Sequence, residues 1–373
     1  MASGMNKRKR PSGRRKKVET LTKHQPHPAS RSSSLFENIV IGSGGIQFGS
    51  ARLDLPPPIT ARITLPSDFG RKFAIFADAE EEFDWNGPFR RGAVATSAIV
   101  ALPEANARLV AAGCIPTYMV DWPIIDTPAA ARILCDMVRS GQCDIGSQLH
   151  PWVNPPFDED VCSHNSYVAN LPLALQRAKL FALTDRIEDI TGVRPTTYRA
   201  GRYGIGRYSA SLLAEAGYRL DVSVRSLFDY RRQGGPNFSH HPVWPWHVSD
   251  TLDELPLTAA FTGKYRRFPN IYGGAISGLL ARTGIIGRVP LTPEGVPLKD
   301  ACEAIRCLLD DDHRLFSLSF HTPSVVPGHT PYVRDATDLR RFWQWWDGIF
   351  DLFAKHDVLP IRSGEIISAF EVA

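Results

Sequence analysis

The sequence has no stretch of about 18 consecutive apolar residues, so nothing in it reads as a helical membrane span. Its basic opening is not followed by an apolar run, so no signal peptide is expected and a cytoplasmic location is the default. None of the six cysteines (Cys114, Cys135, Cys143, Cys162, Cys302, Cys307) forms a CxxC pair. A domain of this size buries enough apolar surface without staples, so reduced thiols are expected, with disulfides the minor alternative. No GK[ST] or GxGxxG follows the glycine-rich stretch Gly42–Gly45, which favours a plain turn over a phosphate cradle. There is no internal repeat.

Charge is unevenly spread. Residues 1–34 hold ten Lys or Arg against one acid, Glu19, while the remainder carries 33 basic and 38 acidic residues. The globular part is therefore mildly acidic, and nothing marks it as a nucleic-acid binder. The first segment has almost no large apolar residues and is expected to be a disordered basic tail. Its KRKRPSGRRKK run reads either as an electrostatic anchor to an anionic surface or as a solvated tail, and the second is preferred. Residues 35–70, with Pro56–Pro58, read as a connector, and residues 71–373 as the folded domain.

From residue 71 onward short apolar runs alternate with amphipathic segments. Strands are predicted at 73–79, 115–120, 143–150, 195–203, 218–224, 315–321 and 358–363. Helices are predicted at 98–113, 128–140, 169–192, 208–217, 301–311 and 338–355, several with a glycine stop. Residues 228–296, rich in Gly, Pro and aromatics, read as irregular. Strands separated by helices of ten or more residues imply βαβ units and a parallel sheet. In such folds chemistry gathers at the C-terminal strand ends, which singles out Asp78, Glu80, His150, Arg199 and His321.

Strand alternation puts Asp78 and Glu80 on one side, where two close carboxylates invite a cation or a shared proton. The competing reading is a solvated acidic loop, because Glu81, Glu82 and Asp84 continue the charge run. Gln148 and His150 share a face, with Asn154 four residues beyond. Imidazole is a common ligand for zinc-like metals, though a hydrogen-bonded structural histidine beside Trp152 is the commoner case for such a residue alone. Arg199 could orient a carboxylate or be a surface arginine. His321 suits a general acid or base or a satisfied buried histidine.

The order of ADAEE, IGSQLHPW, YRAGRYG and LSFH on one βα framework resembles the NodB-homology polysaccharide deacetylases (carbohydrate esterase family 4) over roughly residues 70–370. FADAEEEFDW, LHPWVNPP, NLPLALQRAKL, YRAGRYGIGRYS and FHTPSVVPGHTPY are similar to the WalW-like subgroup, linked to lipopolysaccharide biosynthesis. The resemblance implies an α/β fold, a distorted (β/α) barrel. It also implies a metal-dependent hydrolase that removes N-acetyl, or O-acetyl, groups from a polysaccharide or lipopolysaccharide-type sugar. By that resemblance Asp78 is the general base, Arg199 holds Asp78, and His321 protonates the leaving amine. Glu80, His150 and Asn154 hold a divalent metal, zinc by expectation, and Trp152 and Tyr203 meet the substrate. Two departures stand out. The family's paired aspartates become Asp78-x-Glu80, and its second motif, which carries two histidines four apart, here has one; the other position is Asn154 if His150 is the first, or Trp152 if Gln148 is. An amide oxygen is the weaker ligand for zinc-like metals. The alternative is a catalytically degenerate scaffold that binds carbohydrate, with Trp85, Trp152, Trp244 and Trp246 as stacking candidates. A glycosidase using two of Glu80, Glu82 and Asp84 ranks below both, since it leaves His150, Arg199 and His321 without roles.

Overall fold

The computed structural model describes residues 51–263 and 287–373. The basic segment 1–34, the Gly42–Gly45 stretch and the middle of the 228–296 region lie outside the described residues. The chain first forms β1 (Arg71–Ala79), α1 (Leu102–Ala111), β2 (Thr117–Val120), α2 (Trp122–Asp126), α3 (Pro128–Arg139) and β3 (Asp144–Leu149). Then come α4 (Leu173–Thr191), β4 (Thr197–Ala200), α5 (Ser209–Ala216), β5 (Leu220–Asp221), β6 (Trp246–His247), β7 (Asp253–Glu254) and β8 (Ala259–Thr262). It ends with β9 (Gly287–Pro290), α6 (Leu298–Asp310), β10 (Leu315–His321), α7 (Ala336–Lys355), β11 (Val358–Pro360) and α8 (Ser363–Glu371).

The strands lie in the order β10-β1-β2-β3-β4-β5-β7-β6, with β11 also beside β1. All these pairs are parallel except β6 with β7. The sheet curls, and residues 255–258 span the gap between its two sides. Leu255 and Leu257 donate to the carbonyls of Asp221 and Val224, and Thr258 donates to Ser317 on β10. The result is a distorted (β/α) barrel.

Period-two alternation explains which residues fill it. On β1, Phe73, Ile75, Ala77 and Ala79 face outward into the core beneath the helices. Ala74 and Phe76 face inward, where they meet Met119, Leu220, Val222 and Leu315. Gly146 is inward too, because a Cβ there would sit 2.8 Å from the Met119 sulfur. Ile366, Ile367 and Phe370 of α8 belong to the same inner cluster. Each inward row then turns polar at the C-terminal end of its strand, and that change of chemistry makes the site.

Two short elements go beyond the sequence expectation. Helix α2 is only five residues long and shows no periodic stripe; it is started by Asp121, whose side chain accepts from the Ile124 amide. Helix α8 follows directly on the last strand. The 228–296 stretch, read as irregular, contains β6 to β9 in its described part, each two to four residues long. Residues 51–70 lie against the domain: Leu53 and Ile63 are buried, and the Ile63 amide donates to Pro245. The aromatic stripe of α7 is core, with Phe342, Trp345 and Trp346 buried. Cys114, Cys135 and Cys143 are buried thiols. No helix among the described residues is long and apolar enough to cross a membrane.

Candidate active site

A cavity of about 400 Å³ opens at the C-terminal ends of β1, β3, β4 and β10. The parallel register sets Asp78 level with His321 on one side, and Gln148 level with Arg199 on the other. These four side chains and Glu80 and His150 all line the cavity. The structure thus brings together Asp78, Glu80, His150, Arg199 and His321, five residues singled out from sequence.

Asp78 is buried, and its Oδ1 accepts a charge-assisted bond from Arg199 Nη1. Arg199 is 1% exposed. It also donates to the carbonyls of Phe76 (3.2 Å) and Val222 (3.3 Å), so its fork is fixed by backbone on two strands. Below it lie Asp221 and Glu254. Burial raises Asp221 to about 6, with Glu254, Ser223 and Arg199 opposing. Burial and the neighbouring Asp221 push Glu254 well above the usual carboxylate range. The other oxygen of Asp78 is 3.6 Å from His321 Nε2. His321 in turn places Nδ1 2.6 Å from Glu294 Oε2, while its amide donates to Glu294 Oε1 at 3.0 Å. Burial lowers the His321 pKa, but Glu294 and Glu80 more than offset this and hold it well above the ordinary histidine value.

Glu80 is buried, and its Oε1 has no hydrogen-bond partner among the described residues. Its Oε2 is 3.3 Å from Gln148 Nε2 and 3.6 Å from His150 Nε2. Burial pushes its carboxyl up to about 8; Asp78 and Glu81 add to this, while His321 and His150 oppose it. His150 Nδ1 is 2.8 Å from Glu81 Oε2. Glu81 also accepts from Trp152 Nε1 at 2.8 Å, and its backbone amide donates to Asp121. With Nδ1–H donating to Glu81, Nε2 keeps its lone pair toward Glu80, which is how a carboxylate prepares a metal-ligating histidine.

These residues fit a cation. One ligand atom each from Asp78, Glu80 and His321 lie within 4.8 Å of one another, and so do those of Glu81, Asp121 and His150. A buried carboxylate oxygen with no donor is costly unless an ion or proton meets it.

Asn154 does not line the cavity, and its Oδ1 is buried without a hydrogen-bond partner among the described residues. Its amide donates to the carbonyls of Pro155 (2.7 Å) and Lys179 (2.9 Å), which pins the loop after β3 to α4. Fully buried Lys179 completes the anchor by donating to Pro151, Asn154 and Pro156 carbonyls and to Glu159. Trp152 lines the cavity from behind His150, stacked on it at 4.4 Å. Tyr203 lines the cavity from the turn after β4. Arg202 and Tyr203 there are consecutive non-glycine residues in the left-handed region, with φ of 54° and 61°, a conformation costing about 1 kcal/mol or more each. Gly201 is required just before them, since a Cβ would run into the His150 ring and sit 2.6 Å from the Leu149 carbonyl. Trp85 meets the His321 ring edge-on at 4.7 Å. Trp246 belongs to the core, and Trp244 packs against Arg62 and Trp246. Glu82 is bound to His329, Ser97 and the Ala98 amide.

Sequence reasoning missed Glu81, Asp121, Asp221, Glu254 and Glu294. The strand-end rule that selects Asp78 applies equally to Asp121, which directly follows β2. Glu294 sits in a stretch without periodicity, and no local signal marks it.

No protein-family profile and no curated protein matches the chain. Among solved structures it is similar to a protein of Mycobacterium smegmatis described as a polysaccharide deacetylase, at 18% identity and a TM-score of 0.49, over 85% of this chain and 95% of that one. It is similar to an allantoinase at 14% identity and a TM-score of 0.45, over 85% and 94% of the two chains. It is also similar to the chitin deacetylase of the fungal pathogen Colletotrichum lindemuthianum at 12% identity and a TM-score of 0.38, over 84% and 91%. Likeness at this distance assigns neither reaction nor substrate.

Proposed function

We propose that the chain is a metal-dependent deacetylase that hydrolyses N-acetyl, or O-acetyl, groups on a polysaccharide or lipopolysaccharide-type sugar. The observation that carries this is Glu80. It is a buried carboxylate with one unpartnered oxygen, facing His150 Nε2, in a cavity shared with Asp78 and His321. Glu80 and His150 would hold the cation, with zinc the expected metal and Asp78 and His321 close by. A divalent cation bound there supplies Lewis acidity to the acyl carbonyl and to the attacking water.

The remaining work falls to the chain's own residues. Asp78, oriented by Arg199 through one oxygen, takes the proton of the attacking water with the other. The water oxygen bonds to the acyl carbon, and the carbon–nitrogen bond breaks. The departing nitrogen takes the proton on His321, which Glu294 orients. Acetate and a free amine leave. Trp85, half-buried beside His321, offers aromatic surface to a sugar ring, while buried Trp152 would act by backing His150. A WalW-like role in envelope polysaccharide synthesis, carried out in the cytoplasm, is the biological setting that this reading suggests. The 1–34 segment is proposed as a basic tail and 35–70 as a connector to the catalytic domain.

One observation favours the second reading, a carbohydrate-binding protein without turnover. Gln148 presents an amide nitrogen to Glu80, and Asn154 gives its amide nitrogen to α4, so one histidine stands where two imidazoles are expected. Metal content separates the two. The untagged protein, purified without chelator, should hold about one divalent ion per chain, and Glu80→Gln and His150→Ala should lose it together with acetate release from N-acetylated oligosaccharides. No bound metal, even after incubation with zinc, cobalt or manganese, would overturn the metal-dependent reading and leave the binding protein.

A further inference from the structure

The cavity is lined by groups of both charges. Asp78, Glu80 and Glu294 line it, and so do Arg202 and Arg225. Neither arginine has a carboxylate within 4.0 Å among the described residues, unlike Arg199, which is committed to Asp78. Arg202 lies over the faces of Tyr167 (4.2 Å) and Phe89 (5.0 Å). Its polar partners there are neutral oxygens: the Ser166 hydroxyl, the Ser163 carbonyl, and Gln233 Oε1 at 2.8 Å. Arg225 lies over Phe228 (4.3 Å) and Tyr203 (5.1 Å), and its Nη1 donates to the Tyr230 hydroxyl at 3.0 Å. Aromatic faces and neutral acceptors hold a guanidinium in place without neutralising it. A partly desolvated cation whose planar fork is held in place is suited to a bidentate oxyanion.

The fold maintains this at a cost. Arg202 is displayed from a left-handed backbone position that a non-glycine residue adopts unwillingly. A pair of arginines is not needed to carry out amide hydrolysis at Asp78 and His321, nor to hold a cation at Glu80 and His150. Their presence in the same cavity, without a carboxylate partner, suits a second feature of the ligand.

We infer that Arg202 and Arg225 form an anion subsite, which takes a carboxylate or phosphate substituent carried by the sugar whose acetyl group reaches Asp78 and His321. This rests on the deacetylase reading only for the kind of ligand, an acetylated sugar. The neutral rings Tyr203 and Tyr230 (5.6 Å apart) line the same cavity beside Arg225 and offer aromatic surface to the sugar itself.

The test is binding, measured by calorimetry on the full chain, so it stands whether or not the protein turns substrate over. The probes are N-acetylglucosamine, its 1-phosphate, and 2-acetamido-2-deoxyglucuronic acid. At least one anionic probe should bind about tenfold or more tightly than the neutral sugar, and the stronger of the two identifies phosphate or carboxylate as the natural group. Arg202→Gln and Arg225→Gln should each narrow that gap. In the unaltered protein, added salt should weaken the anionic probe and leave the neutral one nearly unaffected, a readout that does not depend on either variant folding. Equal affinity for neutral and anionic probes, or affinity indifferent to salt, would overturn the subsite. No acetate release by the unaltered, metal-supplied protein, with the anionic preference present, would overturn the deacetylase reading alone.

Discussion

His150 places Nδ1 2.8 Å from Glu81 Oε2, and that bond decides which ring nitrogen faces Glu80. The partner works indirectly: it fixes the tautomer and the ring plane, with Trp152 holding the other Glu81 oxygen. Glu81→Gln should therefore weaken metal binding by about 10–100-fold, the usual effect of removing such an orienting group. His150→Ala, which removes the ligand itself, should weaken it further. Competition with a chromophoric chelator measures both; an unchanged affinity in Glu81→Gln would show that Glu81 does not orient the ligand, and an unchanged affinity in His150→Ala that the histidine is not one.

Glu80 ties metal binding to stability. Its folded pKa of about 8 stands above the ordinary glutamate value of 4.5, because burial disfavours the carboxylate. A group raised in this way contributes stability that is fully present below the unfolded pKa and is lost as pH rises through the folded one. Without metal, the native protein should lose stability from about pH 4.5 to above pH 8, on the order of a few kcal/mol, while Glu80→Gln should not. The variant is then the more thermostable form at pH 8.5 and no more stable than the native at pH 4. Zinc should shrink or reverse the alkaline difference. Thermal melts at the two pH values, with and without zinc, are the measurement.

His321 owes its raised pKa to Glu294 first among the neighbours that oppose burial, with Glu80 and Asp78 helping. It is therefore cationic in neutral solution and loses its proton only on the alkaline side. Activity should fall there, as general-acid catalysis requires. Glu294→Gln removes the main supporting charge, so the alkaline limb of kcat should move to lower pH. His321→Gln should lower kcat by about 100- to 10,000-fold with little change in KM. An alkaline limb unmoved in Glu294→Gln would assign it to another group.

How much of this the sequence shows depends on how local the signal is. β1 and β10 are legible because alternation along Phe73–Ala79 and Leu315–His321 is long enough to show a side and an end. The strand-end rule then yields Asp78 and His321. β5, β6 and β7 have two residues each, too few for a period, and they are held by the register of their neighbours. Glu254 arrives on β7 and Glu294 in the loop after β9, so no window of sequence connects them with His321 or Arg199. Asn154 is a different case, in which a long-range contact acts on a local spacing. Spacing brings it four residues past His150, but buried Lys179 gathers the carbonyls of that loop and turns the Asn154 amide toward α4.

Arg199 gives the sharpest stability test. It is the fixed counter-charge of buried Asp78, bonded to two backbone carbonyls besides. Removing one partner of a buried pair leaves the other charge uncompensated, which typically costs about 3–5 kcal/mol. Arg199→Met should lose about that much by denaturant titration, with acetate release abolished because Asp78 is no longer held. Asp78→Asn with Arg199 intact should also be inactive, yet it keeps an oxygen for the guanidinium and should lose less stability. The double variant Arg199→Met, Asp78→Asn removes both charges, and it should recover much of the stability lost in Arg199→Met without regaining activity. If the two single losses simply add, the pair is not coupled, and Arg199 acts on the fold through its carbonyl bonds instead.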